Sequence, residues 1–248
     1  MNVPCCIPVA LPLSQMRTAI QTAVEFNPAN QFPLNSVPNP LHIAVLKTSY
    51  WGSAGVKLGV TFPQNTNSSV KTKILQYANM WSQHANISFA ERSGGQVRIS
   101  FQKGGGYWSY LGTDILSIKA NQPTMNLEGF DVGNMPDGEW SRVVCHEFGH
   151  TLGMPHEHMR KEIVAGIDPE KAYAYFRSAA GWTKQMVQQQ VLTPLDETLL
   201  LGTLHPRANS IMCYQLPGKI MKNGKDVPGG NTIDVIDHDL ARKLYPRM

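Results

Sequence analysis

Cysteine is scarce: Cys5, Cys6, Cys145 and Cys213 are the only four in a chain of 248 residues. That density excludes a disulfide scaffold, and the spacing fits no zinc-ribbon pattern. Charge is modest as well, at 16% of residues, with Lys+Arg 22 against Asp+Glu 18. No basic block is dense enough to grip nucleic acid, so the net +4 reads as ordinary surface and no nucleic-acid partner is expected. No uninterrupted apolar run is long enough to cross a bilayer, so no membrane partner is expected either. The start, MNVPCCIPVALPLS, is apolar but short, broken by Pro4, Pro8 and Pro12, and lacks a positive n-region. It is a poor signal peptide. Internal repeats are absent. Gly104–Gly106 lacks the Lys-Ser/Thr and the following helix of a phosphate cradle.

What is present divides unevenly. Residues 1–41 read as a linker region, with one short amphipathic helix over SQMRTAIQTAVEF (Ser14–Phe26), then the Pro- and Asn-rich FNPANQFPLNSVPNP. From His42 the pattern becomes regular. VKLGVTFP (Val56–Pro63) alternates like a strand, and Asn67–Ala85 carries helical spacing at Ile74, Leu75, Ala78 and Trp81. ISFAE and VRISFQ read as further strands with Gly94-Gly95 turning between them. DPEKAYAYFRSAAG, WTKQMVQQQVL and DVIDHDLARKLYP read as helices in a loop-rich second half. Trp81 and Trp182 read as core, and KIMKNGKD (Lys219–Asp226) as a solvated loop. At 42% hydrophobic composition the chain can bury a real core, and a cleft between two lobes is where a site belongs. The boundaries that follow are 42–153 for an upper lobe and 154–248 for a lower one.

Half of the 8 histidines fall in HEFGHTLGMPHEHMR, His146 to Arg160. His146 and His150 are four apart, so on a helix both imidazoles leave one face, one turn apart, and can share a zinc ion. Glu147 borders the same cavity, placed to take a proton from a water on that ion. Gly153 can adopt positive φ, end the helix and turn the chain so that His156 returns as a third ligand. Three protein nitrogens leave a position open, the pattern of a catalytic zinc site with one Zn2+. His158 has no spacing argument and reads as a residue behind the ligands or on the surface.

The zinc motif with its trailing HEH and Arg160, together with SIMCY (Ser210–Tyr214), resembles the metzincin zinc peptidases, and among them the astacin family. GGGYWSYLG (Gly104–Gly112) is similar to that family's GGGCWSYVG stretch, and SYWGSAG (Ser49–Gly55) to the region just inside its mature amino terminus. The likeness spans about residues 50–246. It implies an α+β, metzincin-like two-lobe catalytic domain: a twisted mixed sheet with helices above, mostly helix and loop below, and zinc in the cleft between. It also implies that Met212 underlies the metal in a tight turn, and that Tyr214 ligates zinc and stabilises the oxyanion. Glu157, after the third histidine, would meet a new amino terminus made by a cut near Pro40–Lys47. Departures are Tyr107 in place of a cysteine, Cys213 in place of a histidine, and KEI in place of an acidic DRD.

The expected activity is that of a zinc-dependent endopeptidase on protein or peptide substrates, monomeric and extracellular, with Glu147 as general base. Trp108, Ser109 and Tyr110 would form a strand edge on which an extended substrate pairs. A binding module that had kept only the metal would be expected to lose Glu147 or a ligand, and all are present. The resemblance implies a zymogen blocked by an aspartate, yet Glu25 is the only acid before His42. A thiolate is a strong zinc ligand, so Cys5 or Cys6 is the candidate switch. A disulfide to Cys145 or Cys213, or free thiols at a loose terminus, are the alternatives.

Overall fold

A computed structural model describes residues 6, 9–30, 49–196, 200–201 and 205–247; Cys5 lies outside these. Helix α1 (Leu13–Phe26) covers the segment read as an amphipathic helix. Next come β1 (Val56–Thr61), α2 (Ser68–Ala78), β2 (Ile87–Glu91), β3 (Val97–Ser100), β4 (Tyr107–Ser109) and β5 (Met125–Leu127). Asn67 caps α2 by accepting from Ser69 N, and the helix tightens after Ala78 into a 3-10 turn that buries Trp81 completely.

The strands form one sheet in the order β2-β1-β3-β5-β4. It is mixed: β1 runs parallel to β2 and β3, β3 parallel to β5, and β4 antiparallel to β5. Gly94 does make a turn, at φ 66°, but β2 and β3 do not pair with each other. They flank β1. Both carry alternating burial, and the shared partner between them is the strand whose Leu58 and Val60 are nearly fully buried.

Helix α3 (Asp137–Glu139) runs through a π-helical turn at Trp140–Val144 into α4 (Cys145–Thr151), every residue of which is buried. Beyond it lie α5 (Lys161–Ala165), α6 (Pro169–Ala180), α7 (Lys184–Val187) and α8 (Val235–Leu244). Asp168 caps α6, and Gly181 ends it at φ 68°. Asp234 and Asp237 close a capping box on α8.

Two cores result. The larger joins the sheet to α2 and α4 and takes in Met212, Ala241, Leu244 and Tyr245. The smaller gathers Phe176, Trp182, Val191, Leu216 and Ile220. Helix α8 therefore returns to the sheet side, and Tyr245 seals it by donating from its hydroxyl to Leu152 O at 2.5 Å. Trp182 and Trp81 are core residues; of Lys219–Asp226, Lys219 and Lys222–Asp226 are exposed, but Ile220 and Met221 are buried in the smaller core, so the stretch is solvated only in part. No described helix is long and apolar enough to cross a membrane.

Candidate metal centre

Helix α4 positions the first two histidines as the spacing requires. His146 Nδ1 lies 2.6 Å from Ile211 O, and His150 Nδ1 2.7 Å from Met154 O. A carbonyl can only accept, so both rings carry their proton on Nδ1 and present a bare Nε2 lone pair. The helix stops at Leu152, and Gly153, at φ 88°, turns the chain. His156 follows, its Nε2 lying 3.0 Å from that of His146 and 3.1 Å from that of His150. His156 could donate to only one of them. At least one buried imidazole nitrogen is therefore left with its lone pair unsatisfied at close range, an arrangement that a cation resolves. Zinc with bonds of about 2.0–2.1 Å holds tetrahedral nitrogens about 3.3 Å apart, so the donors fit that ion. Burial lowers the basicity of all three rings, His150 to about 4 and the other two well below the usual imidazole range, which keeps them neutral and able to ligate.

The fourth donor comes from the other end of the chain. Cys6 Sγ lies 3.4 Å from His150 Nε2, and the four ligand atoms of Cys6, His146, His150 and His156 lie within 4.8 Å of one another. Zn–S of about 2.3 Å beside Zn–N of about 2.0 Å gives an S···N edge near 3.5 Å, so sulfur fits the position that three histidines leave open. Cys6 also donates to Glu147 Oε2 at 3.5 Å, and its backbone makes a parallel bridge to Tyr107. Among the described residues Cys145 and Cys213 are free and buried, so neither pairs with Cys6. Burial pushes both thiols up to about 12, and neither is a thiolate.

Glu147 is 1% exposed, and desolvation pushes its carboxyl up to about 8, against a smaller lowering by the Cys6 contact and Arg142. Below the group, Met212 packs its thioether against Gly149. A Cβ on Gly149 would meet Met212 Sδ at 2.4 Å and Trp81 Cζ2 at 3.2 Å. The turn carrying Met212 is pinned by Asp237, which accepts from Ser210 Oγ at 2.7 Å and Ile211 N at 3.0 Å. Gly149→Ala is accordingly expected to cost about 2 kcal/mol of stability and to lower Tm by roughly 5 °C, through overpacking alone. Calorimetry checks this, and an unchanged Tm would show that no such clash exists.

Tyr214 stacks on His156 with ring centroids 4.7 Å apart and packs tilted against His158 at 4.5 Å. His158 is not a surface residue. It is fully buried, lies behind Tyr214, and its Nε2 sits 3.0 Å from Gln190 O. Glu157 donates from its N to Met212 O at 2.9 Å, while its Oε2 accepts from Arg207 N at 3.1 Å. Burial raises the Glu157 carboxyl, with Arg160 and Arg207 opposing.

The stretch Trp108–Tyr110 divides. Strand β4 is the sheet edge, as expected for Trp108 and Ser109, but Ser109 turns its hydroxyl inward, 3.1 Å from Thr151 Oγ1. Tyr110 lies beyond the strand and packs with Leu11, Met16 and Ala19 of the amino-terminal segment. Two residues went unremarked in the sequence. Arg142 and Glu139, paired at 2.7 and 3.0 Å, line a cavity of about 490 Å³ together with Cys6, His146, Glu147 and Tyr214. The signal for Arg142 was spacing: 142, 146 and 150 fall on one helical stripe.

The sequence from residue 45 to 168 matches the model of the Astacin peptidase family. The chain belongs to the astacin family. A solved structure of myroilysin is similar at 34% identity and TM-score 0.75, over 82% of this chain and 98% of that one. A second myroilysin structure, at 30% identity and TM-score 0.59, covers 96% of this chain and 98% of that one. The zinc metalloproteinase nas-27 of Caenorhabditis elegans is 28% identical over 137 residues, 52% of this chain but only 29% of that protein's length. High choriolytic enzyme 1, a hatching-enzyme zinc protease of the medaka fish Oryzias latipes, shares the fold at 17% identity and TM-score 0.53, over 81% of this chain and 96% of that one. This astacin-family chain is thus a metallopeptidase by family and α+β by fold.

Proposed function

We propose that the chain is a zinc-dependent endopeptidase made in latent form, with Cys6 as the block. The observation that carries this is the convergence of three bare imidazole nitrogens on one point, with the Cys6 sulfur beside them. His146, His150 and His156 would hold the ion, which supplies Lewis acidity to the scissile carbonyl and to water. Glu147 would accept the water proton on its carboxylate and return it to the leaving amine. Its place supports the role, since the carboxyl is buried in the same cavity as the histidines and next to the first of them in the chain. Tyr214 would donate from its hydroxyl to the developing oxyanion. An extended substrate would pair along β4, the edge on which Cys6 already makes one backbone bridge. Residues 1–41 would be the pro-segment and 42–248 the catalytic domain, with Glu157 receiving the new amino terminus after the cut. A latent form of this kind suits an enzyme released from the cell, and export is the matching expectation.

Casein tests the reading. The chain trimmed to start near residue 42 should degrade it, a chelator should stop it, and added zinc should restore it. No degradation, or degradation indifferent to the chelator, would overturn the assignment. Tyr214→Phe should keep zinc and fold and lower kcat more than it changes KM, since the hydroxyl acts mainly on the transition state. Steady-state kinetics decide this: an unchanged kcat removes Tyr214 from the chemistry.

A further inference from the structure

The amino-terminal segment touches the rest of the molecule at a second place, away from the metal. Helix α1 buries Ala19 and Ala23, 6% and 0% exposed, on one face together with the half-buried Met16 and Ile20. Positions 16, 19, 20 and 23 make a single helical stripe. That stripe lies on the turn Gly112–Ser117 and on Ile118 and Tyr110. Two alanines at the seam bring the helix backbone close. A larger or charged side chain at either one has no room.

The end of the helix is clasped more tightly still. Asn30, 2% exposed, donates from Nδ2 to Ala23 O at 3.1 Å and to Tyr50 O at 2.8 Å, and accepts from Asn27 Nδ2 at 3.1 Å. One buried amide thereby joins α1 to the opening residues of the catalytic domain. Phe26 packs edge-on against Trp51, centroids 5.1 Å apart, and the Asn27 side chain lies over Gly52. Residues 49–52 are themselves fixed from below: Ser49 O accepts from Thr113 N at 3.0 Å, and Ser49 Oγ donates to Asp114 at 3.0 Å. The platform under α1 is thus built wholly from residues that a cut near 42 would leave behind.

We propose that residues 9–30 are a metal-independent anchor, and that the face formed by Tyr50–Gly52, Tyr110 and Gly112–Ile118 is a binding surface for that helix even after the chain is cut. The proposal rests on the latency reading for its consequence and on α1 alone for its substance. Cys6 and α1 are joined by only six intervening residues, so a helix seated on its platform keeps the thiol at high local concentration over the histidines. Cutting between 30 and 49 removes the covalent link, yet leaves both attachments in place. Cutting and activation are then separate events: the second needs α1 to leave.

The experiment uses the full chain with a specific protease site inserted between residues 36 and 37, nicked to completion and passed over a sizing column at micromolar concentration. The amino-terminal fragment should travel with the catalytic domain, and activity should rise less than about twofold on nicking. Ala19→Glu/Ala23→Glu, which keeps helix propensity and removes the fit, should release the fragment and raise activity about tenfold or more on nicking. Because both substitutions leave with the fragment, the remaining domain is the same polypeptide in each case, and its Tm checks that it is folded. Cys6→Ser should still hold the fragment. Release of the fragment from the unsubstituted nicked chain, or its retention by the double-glutamate variant, overturns the anchor. An intact Cys6→Ser chain that stays latent instead overturns the role of the thiol, and leaves the retention result to stand.

Discussion

Glu147→Gln in the trimmed chain is expected to bind one zinc per molecule and to lose about 10³- to 10⁴-fold in kcat/KM, the range a positioned general base contributes. The substitution keeps shape and hydrogen-bonding size and removes only the capacity to accept a proton. The three ligand nitrogens belong to other residues, each with its tautomer set by a backbone carbonyl or by the metal, so affinity for zinc should survive. Within the cavity Glu147 is the carboxyl beside the histidines; of the other two acids lining it, Glu139 is committed to Arg142 through two hydrogen bonds and Asp226 accepts from Gly218 N at 2.5 Å. Among the described residues, neither of those two carboxyls is placed to take over the proton. Zinc analysis beside peptide-cleavage kinetics checks this, and a zinc-loaded variant that cleaves at the unsubstituted rate removes Glu147 from the mechanism.

Cys6→Ser in the intact chain is the second large effect. Its sulfur lies 3.4 Å from His150 Nε2 and 3.5 Å from Glu147 Oε2, where the reacting water of the proposed mechanism would sit. On the proposed reading it would cap the metal and the base together. A serine hydroxyl is a harder, far less acidic donor and holds zinc poorly against water. If the capped state outweighs the open one by about a hundred to one, removing the thiolate raises intact-chain activity about a hundredfold, towards that of the trimmed chain. Equal activity of intact and trimmed chains before any substitution would mean that there is no block to remove. Cys5, which shared the sequence-level assignment, lies outside the described residues.

The metal site was legible because its geometry is local. His146, Glu147, His150, Gly153 and His156 span eleven residues, and helical period plus one positive-φ glycine fixes how they meet. Residue Cys6 was legible only as chemistry, a thiol where no aspartate was available; nothing local says that residue 6 meets residue 150. The sheet was read strand by strand, but its order was not, because β2 and β3 share β1 as a partner rather than each other, and a turn sequence does not reveal that. The sequence left His158 open between a place behind the ligands and the surface because it has no period of its own, and the structure puts it behind them. It is buried by Tyr214, which lies 56 positions away in sequence and 4.5 Å away in space. Arg142 lies one turn before His146, but nothing in the sequence beyond that spacing marks it, since a lone arginine on a helix is usually solvent-facing.

X-ray absorption at the zinc edge of the intact chain tests the central claim most directly, because it reads the atoms around the ion without relying on turnover. The account predicts one zinc with three nitrogen neighbours near 2.0 Å and one sulfur near 2.3 Å, and loss of that sulfur in Cys6→Ser and in the trimmed chain. A chain that takes up no zinc, or zinc bound without sulfur in the intact form, would contradict it.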